Sequence, residues 1–371
     1  MPTDRLVKKS GGDFPLLFAV VLLSLTGLVF IYSASSYSAK ATYGDAFYFV
    51  KKQAIGIALG VIAMIVCANF DYGKIRKILI PFSAITLILL LLVFVPGIGV
   101  ENYGARRWIS LGLFTLQPSE LAKFGLILFA ATYFSNKPAR ARSFRGIIPA
   151  LLFGGIACLL IITEPNMSIT VCVATLLIVL LFASGIKIKI LFFLLVPLLL
   201  GGIILIIAEP YRLARLSAFL NPWSNPRGEG YQLLQSLYAL GSGGFFGVGI
   251  FNSRQKFAFL PFSESDFILS VIGEEIGFIG LLFFFALVFF IVLRGLKIAG
   301  RSKDVFGFLL AVGITMIFCV QALVNALVVS GSIPPTGLPF PLVSSGNTAI
   351  VIFMAEFGVL FNVSKSGALT F

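Results

Sequence analysis

Long apolar runs alternate with short charged segments along almost the whole chain. Runs of about 20 apolar residues match the hydrocarbon thickness of a bilayer. Ten are read here, at about 14–34, 50–69, 77–96, 119–134, 147–164, 167–184, 189–208, 267–293, 305–331 and 346–363. They predict an all-α, polytopic membrane protein with ten transmembrane helices, a single integral-membrane domain over 1–371. Pro197 interrupts the seventh run, and an even number of spans puts both termini on one side. Phe14 to Ser33 is too long for the apolar core of a signal peptide, and no convincing cleavage site follows it, so no removable leader is expected. The first dozen residues and Ser364 to Phe371 read as short tails, and no fixed-period repeat or low-complexity tract is present.

One polar stretch of roughly sixty residues, from Glu209 to about Asp266, breaks this rhythm between the seventh and eighth runs. It carries Arg212, Arg215, Arg227, Glu229, Arg254, Lys256, Glu264 and Asp266. A channel has little use for so charged a loop outside its bundle. An enzyme that grips a charged substrate and moves a proton does, so the chemistry is sought here.

Charge sets the orientation. Arg5, Lys8, Lys9, Lys74, Arg76, Lys77, Lys137, Arg140, Arg142, Arg145, Lys187, Lys189, Arg294, Lys297, Arg301, Lys303 and Lys365 share one face, 17 of the 28 basic residues. Lys and Arg collect in cytoplasmic loops, so both termini are expected in the cytoplasm of a bacterial cell membrane, with loops 97–118 and 209–266 outside. The net charge of +13 is accounted for in the same way, and scattered short basic loops give no footprint for nucleic acid. The chain is 58% hydrophobic and only 12% charged, where a soluble domain is nearer a quarter charged. Cys67, Cys158, Cys172 and Cys319 all lie in apolar runs without CxxC spacing, so neither disulfide nor metal cluster is expected. Histidine is absent. Acid–base chemistry must then use carboxylates, Lys or Tyr.

Several residues invite chemistry. Asp266 stands at the outer mouth of the eighth span, where it reads either as a helix N-cap or as a general base at the membrane boundary. Glu274 and Glu275 lie two turns further in, roughly 12 Å deeper by helical rise. Intramembrane carboxylates face a cavity or a partner, and adjacent residues diverge on a helix, so Glu275 and Glu274 cannot both face one cavity. Glu120 and Lys123, three apart at the outer start of the fourth span, share a helical face. They read as a mutually satisfied pair, or as a lysine aimed at an anion and oriented by the glutamate. With Arg106 and Arg107 upstream, this corner is positive on the outer side, against the topology rule. Glu164-Pro165-Asn166 reads as turn chemistry. Gly241 to Gly249 lacks the Lys of a phosphate-binding loop and reads as close backbone packing or a re-entrant segment. Ser332 to Asn347, with four prolines, reads as an uncharged outer loop folded into the bundle mouth, above two amides on one helical face, Gln321 and Asn325.

Taken in order, the segments Gly104 to Ile109, Gln117 to Lys123, Glu164-Pro165, Gly230 to Gly244, Gly249, Asn252 to Lys256, Ser265 to Ile268, Gly273 to Glu275 and Pro335 to Pro339 resemble the SEDS proteins of the FtsW/RodA type. The Gln-Ser and Asn-Ser-Arg-Gln-Lys segments are more similar to the division and sporulation branch than to RodA. The resemblance implies a ten-helix membrane glycosyltransferase that polymerises lipid II into peptidoglycan strands, alongside a class B penicillin-binding transpeptidase and other divisome proteins. It implies that the essential outer-loop acid is Asp266, and that functional cations fall on Arg107 and Lys123. Two departures stand out. Asn166 replaces an Asp of the family pattern, and Pro341 to Ala349 departs from the usual Tyr-Gly-Gly loop.

Lipid II polymerisation joins a sugar 4-hydroxyl to an anomeric carbon and expels a lipid pyrophosphate. The hydroxyl needs a base, for which Asp266 is the candidate. The pyrophosphate needs positive charge from basic residues or a divalent ion, Mg or Mn, a choice the sequence leaves open. Arg107, Lys123, Arg212, Arg215, Arg254 and Lys256, all expected on the outer side, are the candidate substrate-binding residues together with Glu120 and Glu275. A lipid II flippase is the competing reading, carried by the buried polar groups Glu274, Glu275, Lys123, Gln321 and Asn325. A non-catalytic divisome scaffold is a third.

Overall fold

The structure, a computed structural model, describes residues 11–102, 105–110, 112, 115–207, 210–257 and 259–366. Arg5, Lys8, Lys9, Gly104, Glu209 and the end of the C-terminal tail fall outside these residues. Thirteen helices are described: α1 Phe14–Tyr43, α2 Tyr48–Asn69, α3 Tyr72–Ile75, α4 Leu79–Leu92, α5 Pro118–Asn136, α6 Phe144–Thr163, α7 Met167–Ala183, α8 Ile188–Ile207, α9 Pro210–Leu220, α10 Tyr231–Gly243, α11 Ile268–Gly300, α12 Val305–Val329 and α13 Asn347–Ser366. Among the described residues, seven stretches are long and apolar enough to cross a membrane: α1, α2, Tyr72–Leu92, α6, α11, α12 and α13. The expected spans at 119–134, 167–184 and 189–208 fall on α5, α7 and α8.

Sequence-encoded caps start several of these helices. Asp13 accepts from the Leu16 amide, Asp304 from Gly307, Ser143 from Gly146 and Asn166 from Ile169. Each satisfies an amide that the first turn cannot. In α12, 67% of the most apolar window is buried inside the protein, against 17% for Tyr72–Leu92, which makes α12 central and the latter peripheral. α13 packs along α2, where Gly60 meets Met354 and Gly358 meets the Met64 backbone. Small residues allow this close approach, the main source of helix cohesion in lipid.

One end of the bundle gathers opposite charges from distant segments. Asp13 pairs with Arg294 at 2.7 Å, Arg76 approaches Asp304 at 3.9 Å, and Lys365 donates to the Ala68 carbonyl.

The fold departs from the all-α expectation at the first outer loop. Residues Gly99–Asn102, Ala105–Ser110 and Thr115–Leu116 form strands β1, β2 and β3 of a small antiparallel sheet in the order β1-β2-β3. The stretch 209–266 is also not one polar loop. It contains α9 and α10, and α10 buries Leu233, Leu234, Ser236 and Ala239 against α11 and α12. Ser236 donates to the Val329 carbonyl at 2.7 Å, fastening α10 to the end of α12.

α11 is broken at Gly277, whose φ of 66° and ψ of −172° no helix contains. The segment after α10 fills the break. Val248 and Gly249 donate to the carbonyls of Glu274 and Glu275, while Phe278 and Ile279 donate to those of Gly244 and Phe245. Backbone groups freed by the break are thus paired within the protein, as burial in a membrane requires. A Cβ on Gly247 would lie 2.2 Å from the Glu275 carbonyl oxygen, so the glycines of this segment serve backbone contact.

Candidate active site

Asp266 lies two residues before α11, at the end of the bundle opposite the Asp13–Arg294 pair, and is partly exposed. It is not the N-cap: that position belongs to Phe267, with no side-chain cap bond. Its backbone is held from below, because Asn325 of α12 donates to the Asp266 carbonyl at 2.8 Å and to the Leu338 carbonyl at 2.7 Å. One turn along α12, Gln321 donates to the Pro339 carbonyl at 3.1 Å. The two amides therefore anchor the proline-rich loop and the acid together.

That loop comes close to the Asp266 carboxylate. Gly337 has a φ of +70°, and a Cβ there would meet Asp266 Oδ2 at 3.3 Å. Leu338, Phe340, Leu342 and Val343 of the loop are buried, so it fills the mouth of the bundle. Ser344 donates to the Ser265 carbonyl at 2.6 Å and accepts from the Phe340 amide. Gln53 of α2 brackets the turn by donating to the Ser344 carbonyl and accepting from Gly346.

Two arginines surround the acid electrostatically. Strand alternation separates adjacent side chains: exposed Arg106 pairs across the hairpin with Glu101 at 3.1 Å, and Arg107 turns inward. Arg107 donates through Nε to the Glu164 carbonyl at 3.1 Å and through Nη2 to the Pro165 carbonyl. Arg215 of α9 donates to the Pro335 carbonyl at 3.2 Å. Burial pushes Asp266 up from its usual carboxylate range to about 6, and neighbouring Glu264 adds to this, against the opposing pull of Arg107 and Arg215. Burial also raises Glu264. A carboxylate so tuned is a stronger base than a solvated one and is still mostly ionised at neutral pH.

The other expected residues separate into distinct places. Lys123 and Glu120 form a direct ion pair at 2.7 Å, each 1% exposed, and Lys123 also donates to Gln321 at 2.7 Å beneath the Phe353 ring. Glu356 of α13 is buried in the same neighbourhood, within the field of Lys123 and Glu120. The link Lys123–Gln321–Pro339 connects this buried pair to the loop beside Asp266.

Glu275 accepts from Ser33 and from the Ser253 amide, and Glu274 accepts from Ser253, Ser242 and the Arg254 and Gln255 amides. Both carboxylates thus pin the segment after Gly249 onto α11 and α1. Buried Lys256 donates to the Phe251 carbonyl within that segment, and Arg254 is exposed. Arg212 lies on α9 one turn before Arg215, and its side chain is outside the described residues. Among the described residues no group of three or more His, Cys, Asp or Glu comes together.

Some functional neighbours were passed over in the sequence. The carboxyl of Glu164, Gln53 and Ser344 look like ordinary turn or span residues until the loops fold over them. Glu356 did carry a signal, a carboxylate inside the last apolar run.

The sequence profile of the FtsW/RodA/SpoVE family, described as a cell cycle protein, matches residues 14–368. The chain is similar to the stage V sporulation protein E of Bacillus subtilis, 40% identical over 96% of this chain and 98% of that one. It is equally similar to a probable peptidoglycan glycosyltransferase FtsW of Trichlorobacter lovleyi, 40% identical over 95% and 93%. A chain from a structure on the coordination of polymerization and crosslinking by a peptidoglycan synthase complex superposes with a TM-score of 0.79 at 26% identity, covering 95% of this chain and 98% of that one. The rod shape determining protein RodA of Thermus thermophilus has the same fold, with a TM-score of 0.72 at 24% identity over 97% and 99%. The chain belongs to the FtsW/RodA/SpoVE family.

Proposed function

We propose that this protein is a peptidoglycan glycosyltransferase that polymerises lipid II at the outer face of the bacterial cytoplasmic membrane, in division or sporulation. The observation that carries this reading is the setting of Asp266. A carboxylate of raised basicity, on a backbone held by Asn325, lies in the field of Arg107 and Arg215 beside an ordered loop, in a chain without histidine. Asp266 takes the proton of the acceptor 4-hydroxyl as its oxygen attacks the anomeric carbon of the donor. The bond from that carbon to the pyrophosphate breaks, and the lipid pyrophosphate leaves with inversion. Arg107 and Arg215 offset the charge that develops on the leaving group, a preorganised electrostatic role. Arg212, Arg254 and Lys256 belong to the same outer segment, the first two as candidates to guide the anionic headgroup. Lys123, Glu120 and Glu275 support the site from inside the bundle.

Two carboxylates at the mouth, Glu264 and Asp266, fit Mg or Mn of the kind held by one or two protein carboxylates with substrate phosphates and water. Such an ion would supply further positive charge to the pyrophosphate.

The bundle is read as ten spans, with α5, α7 and α8 joining the seven candidate stretches. The end holding Asp13, Arg76, Arg294 and Lys365 is read as cytoplasmic. The expected partner is a class B penicillin-binding transpeptidase, consistent with the likeness to a chain of a peptidoglycan synthase complex.

A flippase needs a polar path across the bilayer. Here Glu120 and Lys123 pair with one another, and Glu274 and Glu275 are taken up by hydroxyls and backbone amides, which favours the polymerase. Labelled lipid II incubated with the detergent-purified protein and its transpeptidase partner tests the choice. A ladder of glycan strands is expected; lipid II translocation across vesicles without any ladder would replace this reading with the flippase.

A further inference from the structure

Glu164 is a carboxyl that the reaction as written does not use. It is 1% exposed, and among the described residues it alone has both carboxyl oxygens buried without a hydrogen-bond partner. It ends α6 at the outer turn, and burial pushes it up to about 8 against the pull of Arg107. An unpaired carboxylate is costly to bury, and the group remains neutral instead.

The cation nearest in effect is Arg107, yet its guanidinium is bonded to the backbone carbonyls of Glu164 and Pro165. The same arginine acts on the Asp266 carboxylate. One guanidinium therefore acts on two acids, fixed by the backbone of one and stabilising the charge of the other. Next to Glu164 is a cavity of about 250 Å³, lined by Phe94, Thr163, Ala105 and the Glu101–Arg106 pair. It leaves room for a side chain to move.

We infer that Glu164 is a positioning residue for Arg107: uncharged, it leaves the guanidinium to Asp266 and the leaving group, and ionised, it draws the guanidinium to itself and away from the base. The inference rests on the glycosyl-transfer reading above. Other charged groups around this turn have assigned places. Arg106 is held by Glu101 on the hairpin, Arg215 comes from α9, and Glu264 and Asp266 come from the approach to α11. The start of α7 presents Asn166 and Ser168, which do not titrate. Ser168 donates to the Thr336 carbonyl, so the turn that holds Arg107 also holds the loop over Asp266.

The consequence is an alkaline limb in the pH–rate profile that belongs to Glu164, separate from the acid limb of Asp266. For a group titrating at about 8, the neutral fraction falls about tenfold between pH 7 and pH 9. The test measures polymerisation by the complex of full-length protein and transpeptidase at pH 6 to 9.5, for wild type, Glu164→Gln and Asp266→Asn. Glutamine keeps the shape and cannot ionise. The wild-type rate is expected to fall about tenfold from pH 7 to pH 9, and that of Glu164→Gln by less than about twofold. Infrared spectra of the purified proteins give a readout independent of activity. A protonated-carboxyl band lost between pH 7 and pH 9 in wild type should be missing from the Glu164→Gln spectrum. An equal alkaline fall in both proteins, or an equal loss of that band in both, would overturn the inference. Full activity in Asp266→Asn would instead remove the catalytic reading, with the infrared titration still deciding whether Glu164 is the neutral acid.

Discussion

Asp266 draws its predicted role from position and tuning together. Its raised value of about 6 has a definite sign for the rate. The base form is lost as pH falls through 6, so polymerisation should drop about tenfold between pH 7 and pH 5, seen as an acid limb absent from any residual activity of Asp266→Asn. The sign for stability is opposite. A carboxyl raised above its unfolded value stabilises the fold fully below about 3.8 and loses that contribution as pH rises through 6. Asp266→Asn is therefore expected to melt a few degrees higher than wild type at pH 7.5 while losing activity, a trade common at active sites; an unchanged or lower melting temperature would contradict the strain assigned to this carboxylate. The buried pair behaves in the reverse manner. Lys123→Met strands Glu120 without its cation and should cost ~3–5 kcal/mol, much of it regained in Lys123→Met/Glu120→Gln; equal melting temperatures for the single and double variants would refute direct pairing. These residues were legible in the sequence, because a charge at a span boundary or inside a span is rare enough to notice. Glu164 was not, since its significance is a buried carboxyl to which no described residue hydrogen-bonds, and only the folded turn makes that so.

Glycine at the α11 break couples the stretch after α10 to the membrane-embedded part of α11. Gly277 has backbone angles in a region essentially confined to glycine, and a Cβ there would meet the Gly247 amide nitrogen at 2.3 Å. Gly277→Val is expected to separate the two segments and release Ser253 to Gln255 from Glu274 and Glu275. The measurable results are a melting temperature well below wild type and faster amide exchange over 244–256; wild-type exchange there would contradict the pairing. The apolar runs made the seven candidate membrane spans visible in the sequence. The runs on α5, α7 and α8 were visible too. Other elements escaped for physical reasons. The strands of the outer sheet are short, and their alternation is hidden by adjacent Arg106 and Arg107, which share a charge but not a face. α10 follows Gly228 and Gly230 and carries Gln and Ser, so it read as loop, although its buried stripe of Leu233, Leu234 and Ala239 is an ordinary amphipathic face. The glycine-rich segment was recognisable as backbone packing, but its partner, a broken helix, was not, because a single glycine in an apolar run gives no sign of its angles.

The whole molecule is asymmetric along the bundle axis. Ion pairs and basic side chains stitch together the ends of α1, α2, α11, α12 and α13 and the turn after α3 at one pole. At the other pole lie Asp266, Arg107, Arg215 and the proline-rich loop. By the positive-inside rule, we propose that the first pole is cytoplasmic. A cysteine placed at Ser302 should then react with an impermeant thiol reagent only after the cells are opened, and one at Asn225 should react in intact cells. The reverse pattern would invert the topology and separate the site from an extracellular substrate. The gathering of basic residues toward one pole was readable from the distribution of Lys and Arg before any fold was known. The convergence of Gln321, Asn325, Gly337 and Ser344 on Asp266 was not, because it joins segments far apart in the chain. The central claim is that this convergence makes Asp266 the base of glycan polymerisation. Its most direct test is the strand product formed from purified lipid II by the protein with its transpeptidase, wild type against a stably folded Asp266→Ala. Long strands from wild type and a loss of at least about a hundredfold in the variant are predicted, the scale of a missing general base. Equal product from both would contradict the account.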